Sequence, residues 1–393
     1  MLNSDLDKTS NIKIVLSLLL VSLLAACSDS SNRSSAVVPE PELEVAADFS
    51  AVDSMLDTFV AEHPVFEGAS IVIVDKQNGV IHEAAFGNHT LETVVLLAST
   101  SKMPSVSLLM ALDEDENLDF EIDGLIENYL PWEGVWPGVT TEHLVSNRSG
   151  IPGLGSIFNG TNTVHLCQFV PAGQLRDCAK TIFETPTPGL TANPPGTVFE
   201  YGGGPWQLAG GVAEVVGGAT WSQLWDQYIG EPCDLEVFRY ANQLADAQAW
   251  DGTLDSLVGL ENPNIEGGAV TNLSDYAKIL SMHLNDGACG DNQVLSKEAV
   301  EFMRLDRNPG APDAVDHIGY GMGWWVRPTP EGEAPTLFDD GGAFGALSWI
   351  DTERQYAGYV AFEDYTLTVA SQGPAMVRSE LIPMIEEALD AVR

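Results

Sequence analysis

Apolar positions cluster in short runs at both ends of the chain. Residues 69–75 (ASIVIVD) and 80–86 (VIHEAAF) are separated by Lys76-Gln77-Asn78-Gly79, and a link of that length carrying Asn-Gly predicts a β-hairpin. Residues 319–327, 346–350 and 355–362 read as further strands, with Asp351-Thr352-Glu353-Arg354 as a turn and 380–392 as a closing helix. In the middle, residues 105–119 place Val106, Leu109, Met110 and Asp113 at helical spacing and run into the acidic cluster Asp113-Glu114-Asp115-Glu116. Strands at both ends around a mainly helical middle predict an α/β (α+β) fold in which an antiparallel sheet is flanked by helices and interrupted by a helical domain. The sheet is expected from about 48–95 and 315–393, and the helical insert from about 96–314.

A different pattern precedes this unit. Lys8 and Lys13 stand before the apolar run 14–26, which is too short and too interrupted by serine for a comfortable membrane span. It ends in Leu24-Ala25-Ala26-Cys27, which resembles a bacterial lipobox, so residues 1–26 are expected to be a lipoprotein signal peptide and Cys27 the lipidated first residue. Residues 27–47 then form a polar, proline-bearing tether. Several acyl chains on Cys27 would hold the protein at a membrane, and Ser28 after the cysteine resembles outer-membrane sorting, facing the periplasm.

Charge narrows the partners. The chain carries 57 Asp and Glu against 17 Lys and Arg, a net charge of −40. Such a balance repels nucleic acid, and adaptation to a salty medium explains it without any specific cationic partner. Apart from Cys27, the cysteines are Cys167, Cys178, Cys233 and Cys289, an even number in an oxidising compartment. Two disulfides are expected, Cys167 with Cys178 and Cys233 with Cys289, although four cysteines permit two other pairings. No metal-ligand spacing occurs among the cysteines and histidines, and no cofactor is called for.

The candidate chemistry starts at Leu96-Leu97-Ala98-Ser99-Thr100-Ser101-Lys102. Ser99 and Lys102 stand one helical turn apart on one face, so the amine can act on the proton of the hydroxyl. A helix with Ser99 at its amino end also aims free N–H groups and its positive dipole end at the reacting oxygen. Pro104 predicts a loose or 3₁₀ opening turn.

This segment and three others in order resemble the serine β-lactamase-related hydrolases: class C β-lactamases, D-alanyl-D-alanine carboxypeptidases and family VIII carboxylesterases. Glu142-His143-Leu144-Val145-Ser146-Asn147-Arg148-Ser149-Gly150-Ile151-Pro152 is similar to the family's His-x-Ser-Gly segment, with Asn147 where histidine is usual. Pro195-Gly196-Thr197-Val198-Phe199-Glu200-Tyr201-Gly202-Gly203-Gly204 resembles its Tyr-x-Asn box and puts Tyr201 at the catalytic tyrosine. Phe338-Asp339-Asp340-Gly341-Gly342-Ala343-Phe344-Gly345 stands at its Lys-Thr-Gly box. The resemblance implies the β-lactamase/transpeptidase-like fold from about residue 48 to the end. It also implies acyl transfer through Ser99, with Lys102 and Tyr201 moving the proton and the backbone N–H groups of Ser99 and Gly342 holding the oxyanion.

Two departures set the substrate expectation. Gly203 removes the side-chain amide of the Tyr-x-Asn box, and Asp339, with Asp340 and Gly341, replaces the cation that receives a substrate carboxylate. A carboxylesterase acting on small neutral esters is therefore expected. A β-lactamase or D-alanyl-D-alanine carboxypeptidase is the alternative within the family, and a non-catalytic envelope binding protein is the alternative outside it. Retention of Ser99, Lys102 and Tyr201 together argues for the enzyme. Trp324 and Trp325 are expected in sheet packing or in an acyl-pocket wall, His143 and Asn147 as support for the site entrance, and Gly202-Gly203-Gly204 as a tight turn. Oligomeric state is not legible.

Overall fold

Runs of apolar residues with no polar alternation belong to strands covered on both faces, and this is how the sheet is built. The computed structural model describes residues 46–393 apart from residues 191, 310–318 and 331. The expected signal segment, Cys27 and nearly all of the tether lie outside the described residues. The strands are β1 (Gly68–Asp75), β2 (Gly79–Gly87), β3 (Gly319–Tyr320), β4 (Trp325–Val326), β5 (Leu337–Gly341), β6 (Leu347–Asp351) and β7 (Tyr356–Phe362). They form one sheet in the order β2-β1-β7-β6-β5-β4-β3, antiparallel throughout. The predicted strand 319–327 is two short strands, because Gly321 to Trp324 turns the chain back, with Gly323 in the left-handed region.

Six helices matter to the site: α1 (Ser50–Glu62), α2 (Lys102–Asp113), α3 (Leu175–Glu184), α4 (Gly204–Gly217), α5 (Leu273–Leu284) and α6 (Ile382–Asp390). Side chains alternate across each strand, so the sheet feeds two cores. Ile71, Ile73, Trp349 and Val360 pack with Leu56 of α1 and Ile385 of α6 on one face. Val72, Val74, Ile350 and Tyr359 pack with Leu109 of α2 and Leu280 of α5 on the other. Helix α2 is apolar all round and buried over nearly its whole length, as expected of a helix sunk inside the molecule. It is shorter than the predicted 105–119 because Asp115 and Asn117 form an Asx-type turn beyond it. The closing helix starts at Ile382 after a wide turn over Val377–Leu381.

Disulfides join Cys167 to Cys178 and Cys233 to Cys289, with Cα separations of 5.6 and 5.0 Å. The first fastens the 3₁₀ segment Val164–Phe169 to α3. Among the described residues no helix is long and apolar enough to cross a membrane, and no group of three or more His, Cys, Asp or Glu is placed to hold a metal ion.

Candidate active site

Ser99 sits in the 3₁₀ turn Ala98–Ser101 that opens α2, partly exposed to solvent. Ala98, just before it, has φ of 47°, a left-handed conformation that an L-residue adopts only under constraint. The constraint is visible. Ser101 Oγ donates to Ala98 O at 2.7 Å and accepts from Ala269 N at 3.1 Å, and Leu97 N donates to Ala269 O at 2.9 Å. Pro104 is the third residue of α2, where a helix has no internal acceptor for the missing N–H.

Lys102 is fully buried, yet its ammonium has three acceptors for its three protons. Nζ lies 3.2 Å from Ser99 Oγ, 3.1 Å from the carbonyl oxygen of Glu266 and 3.1 Å from that residue's carboxylate Oε2. Burial pushes the Lys102 amine down, but Glu266, with Tyr201 and Asp340, outweighs it, and the net direction is upward. The Tyr201 ring lies under Nζ at 4.6 Å. Burial raises the Tyr201 phenol, against the lowering effects of Lys102 and of Ser99 beside it. Ser99, Lys102 and Tyr201, the last about a hundred residues further along the chain, thus stand in one cluster.

The turn that carries Tyr201 is held by Asn147, whose Oδ1 accepts from Gly202 N at 2.9 Å and Trp206 Nε1 at 2.8 Å. Asn147 has φ of 61°, which asparagine tolerates well. His143 caps its own short helix through Thr140. Trp325 stacks on Tyr201 at 5.4 Å between centroids, whereas Trp324 is in the core beside His283. Neither lines the cleft at Ser99.

The fourth segment is corrected by the strand alternation. Asp339 points to the α6 side of the sheet, where Arg378 grips it with Nε at 2.9 Å and Nη2 at 3.0 Å, and Arg327 lies 3.9 Å away. It does not face the nucleophile. Asp340 does: it is fully buried, accepts from Met103 N at 3.2 Å at the start of α2, and acts electrostatically on both Lys102 and Tyr201. Burial raises its carboxyl well above the ordinary range against the pull of Lys102. Gly341 lies toward Arg378. Gly342 N donates to Ala346 O at 2.8 Å within the β5–β6 connection, so this N–H is engaged and does not point to the cleft. The glycine is there for space, since a Cβ would stand 2.2 Å from Leu97 O. Of the residues expected to bind substrate, Asp339 and Gly341 lie toward Arg378, whereas Asp340 and Gly203 are engaged by Met103 N and Glu266.

Sequence reasoning missed Glu266 and Gln168. Glu266 is almost wholly buried, its carboxylate accepting from Gly203 N at 3.0 and 2.9 Å and from Gln168 Nε2 at 3.0 Å. The one local sign was a lone acid in the otherwise apolar and glycine-rich stretch Ile265-Glu266-Gly267-Gly268-Ala269. The cleft at Ser99 has a volume of about 480 Å³ and is lined by Leu154, Ile157, Phe158, Leu166, Phe169, Leu244, Ala343, Phe344 and Leu367 among others, with Glu266 the one ionisable residue among the described residues that line it.

Known proteins share this architecture. The chain is 26% identical over 329 residues to Penicillin-binding protein 4 of Amycolatopsis lactamdurans, covering 75% of this chain and 79% of that protein. A candidate beta-lactamase from Bacteroides dorei superposes with a TM-score of 0.64 at 24% identity, covering 84% of this chain and 98% of its own. EstCE1, described as a hydrolase with promiscuous acyltransferase activity, superposes with a TM-score of 0.63 at 16% identity, covering 83% and 98%. These structures share the fold. The beta-lactamase family model itself matches residues 52–379, spanning the nucleophile turn, the Tyr201 turn and β5, and the chain belongs to that family of serine hydrolases.

Proposed function

We propose that the protein is a carboxylesterase that cleaves neutral esters through an acyl-enzyme on Ser99. The observation that carries this reading is the cleft wall, in which apolar side chains surround the nucleophile and, among the described residues, the ionisable lining residue is an acid already bound to Lys102. A substrate carboxylate, as in a penicillin, a cephalosporin or a peptide terminus, would meet among those residues no cation other than Lys102, which is taken up by Glu266, and a site lacking the matching partner gains little from that group. Asp339 does not set this preference, because its carboxylate is paired with Arg378 on the far face of the sheet. The preference for neutral substrates stands on the lining instead.

In this mechanism Ser99 Oγ attacks the ester carbonyl while its proton passes to the Lys102–Tyr201 unit, which returns it to the departing alcohol oxygen. Water then cleaves the acyl-enzyme by the reverse transfer. The oxyanion donors are the N–H of Ser99 and, in place of Gly342, that of Ala343, the next residue in the β5–β6 turn, which lines the cleft. We also retain the lipoprotein reading, supported by the charged, apolar and Leu24-Ala25-Ala26-Cys27 segments and by two disulfides suited to an oxidising compartment. The enzyme would then sit at the bacterial envelope membrane, anchored through Cys27.

The test compares a short-chain p-nitrophenyl ester with a chromogenic cephalosporin on wild type and Ser99→Ala, with mass analysis after a fluorophosphonate. Ester turnover and a Ser99 adduct, both lost in Ser99→Ala, are expected, with cephalosporin turnover at least a hundredfold lower. Efficient cephalosporin turnover would overturn the substrate claim, and absence of any adduct on the folded protein would favour a binding protein.

A further inference from the structure

Three consecutive glycines follow Tyr201, and the backbone of the first two is shaped around a carboxylate. Gly202 and Gly203 have φ of 65° and 88°, and a Cβ on Gly202 would stand 2.5 Å from Glu266 Oε2. Gly203 offers its N–H to both oxygens of Glu266, and Gln168, itself fully buried, donates to Oε1. The remaining contact of that carboxylate is Lys102 Nζ, through Oε2 at 3.1 Å, and the carbonyl of the same residue binds the same nitrogen. One residue therefore supplies two of the three acceptors that aim the Lys102 amine at Ser99.

We infer that Glu266 is the positioning residue for Lys102, seated in the space that Gly202 leaves without a side chain and held by the Gly203 N–H, and that it fixes both the direction and the charge of the amine. The inference rests on the acyl-enzyme reading above. A buried anion that merely stabilised the fold would need a cation anywhere near it. This one is presented to the single amine that touches the nucleophile, and the glycines beside Tyr201 are the space it occupies. The charged and titratable groups facing Lys102 are Glu266, Tyr201 and Asp340. Of the three, Glu266 is the one whose carboxylate is in direct contact with the amine, at 3.1 Å. Removing its charge lowers the proton affinity of Lys102, so the free amine forms at lower pH.

The experiment measures the rate of Ser99 modification by a fluorophosphonate against pH for wild type, Glu266→Gln and Gly202→Ala, with circular dichroism on each. In wild type the rate rises with pH as Lys102 loses its proton. In Glu266→Gln the rising limb is expected to move to lower pH by about one unit or more, the size of effect typical of an opposite charge at this distance. The maximal rate should also fall on the order of tenfold as the amine loses its second anchor. Gly202→Ala, whose new methyl displaces Oε2 from Lys102, should move the limb in the same direction. It keeps the test decisive if Glu266→Gln fails to fold. Wild-type labelling with an unmoved limb in the folded variants would overturn this inference alone, whereas absence of labelling in wild type would overturn the acyl-enzyme reading.

Discussion

Arg378 holds Asp339 with two hydrogen bonds, at 2.9 and 3.0 Å, on the face of the sheet turned away from Ser99. Asp339 is fully buried and the Arg378 side chain 15% exposed, so the carboxylate is poorly served by water if the guanidinium is removed. Breaking such a pair from one side costs about 3 kcal/mol. Asp339→Ala is accordingly expected to lower stability by about that amount in urea unfolding while leaving the kcat/KM of ester hydrolysis within about threefold. A changed preference for anionic substrates in the folded variant would show that Asp339 reaches the cleft after all.

Neighbouring residues of the same type explain why this pair was misread. Asp339 and Asp340 are chemically identical in sequence, and a shift of one residue exchanges the two faces of a strand. Which of them faces Lys102 is decided by the pairing of Asp340 with Ser348 on β6 and by Arg378, neither of which carries a local signal. Ser99 and Lys102 were legible because three residues on one helical turn fix their relation. The β1–β2 hairpin was legible for the same kind of reason, since its turn residues adjoin its strands. Glu266 was not, because its role depends on Lys102 and Gly203, 164 and 63 residues away along the chain. The turn of Tyr201 came from a resemblance, and its glycines made sense only once the carboxylate beside them was visible, in the space of Gly202 and on the N–H of Gly203.

The proton-transfer unit predicts a specific pattern of losses. Tyr201→Phe removes the hydroxyl beside Ser99 but keeps the ring stacked on Trp325, so the fold should persist while acylation falls by about a hundredfold or more. Lys102→Ala should lose at least as much activity and also stability, because it leaves Glu266 buried without its cation. The double variant should lose far less than the product of the two single losses, measured as the second-order rate of Ser99 labelling. Full multiplicativity would mean that the two groups act independently.

Acid should expose a second buried device, remote from the nucleophile. His283 is buried between Ser107, whose Oγ lies 3.0 Å from its Nε2, and Trp324. Burial pushes its imidazole down to about 3 from the usual 6.5. The unfolded chain therefore takes up this proton before the folded one does. The stability contributed by neutral His283 is present above about 6.5 and is lost progressively as pH falls toward 3. Asp340, shifted upward, has the opposite sign, so the check is the difference between wild type and His283→Leu. That difference in melting temperature should shrink as pH falls from 7 to 4, and a constant difference would contradict the assignment.

The cleft makes a prediction about chain length. Phe158 is 73% exposed and Leu367 60%, large apolar side chains left in water at the rim of the wall that surrounds Ser99. Exposed singly such residues mean little, but grouped around a cavity they mark where an apolar ligand completes the surface. Each buried methylene contributes about 0.8 kcal/mol, or about fourfold in kcat/KM when fully taken out of water. From acetyl to hexanoyl p-nitrophenyl esters kcat/KM should therefore climb with each added carbon, approaching that factor. Phe158→Ser, a change at an exposed position that should leave folding and acetyl ester hydrolysis unaltered, should flatten the climb. A rate that stays level or declines from acetyl onward in wild type would show that the acyl chain does not enter this cleft.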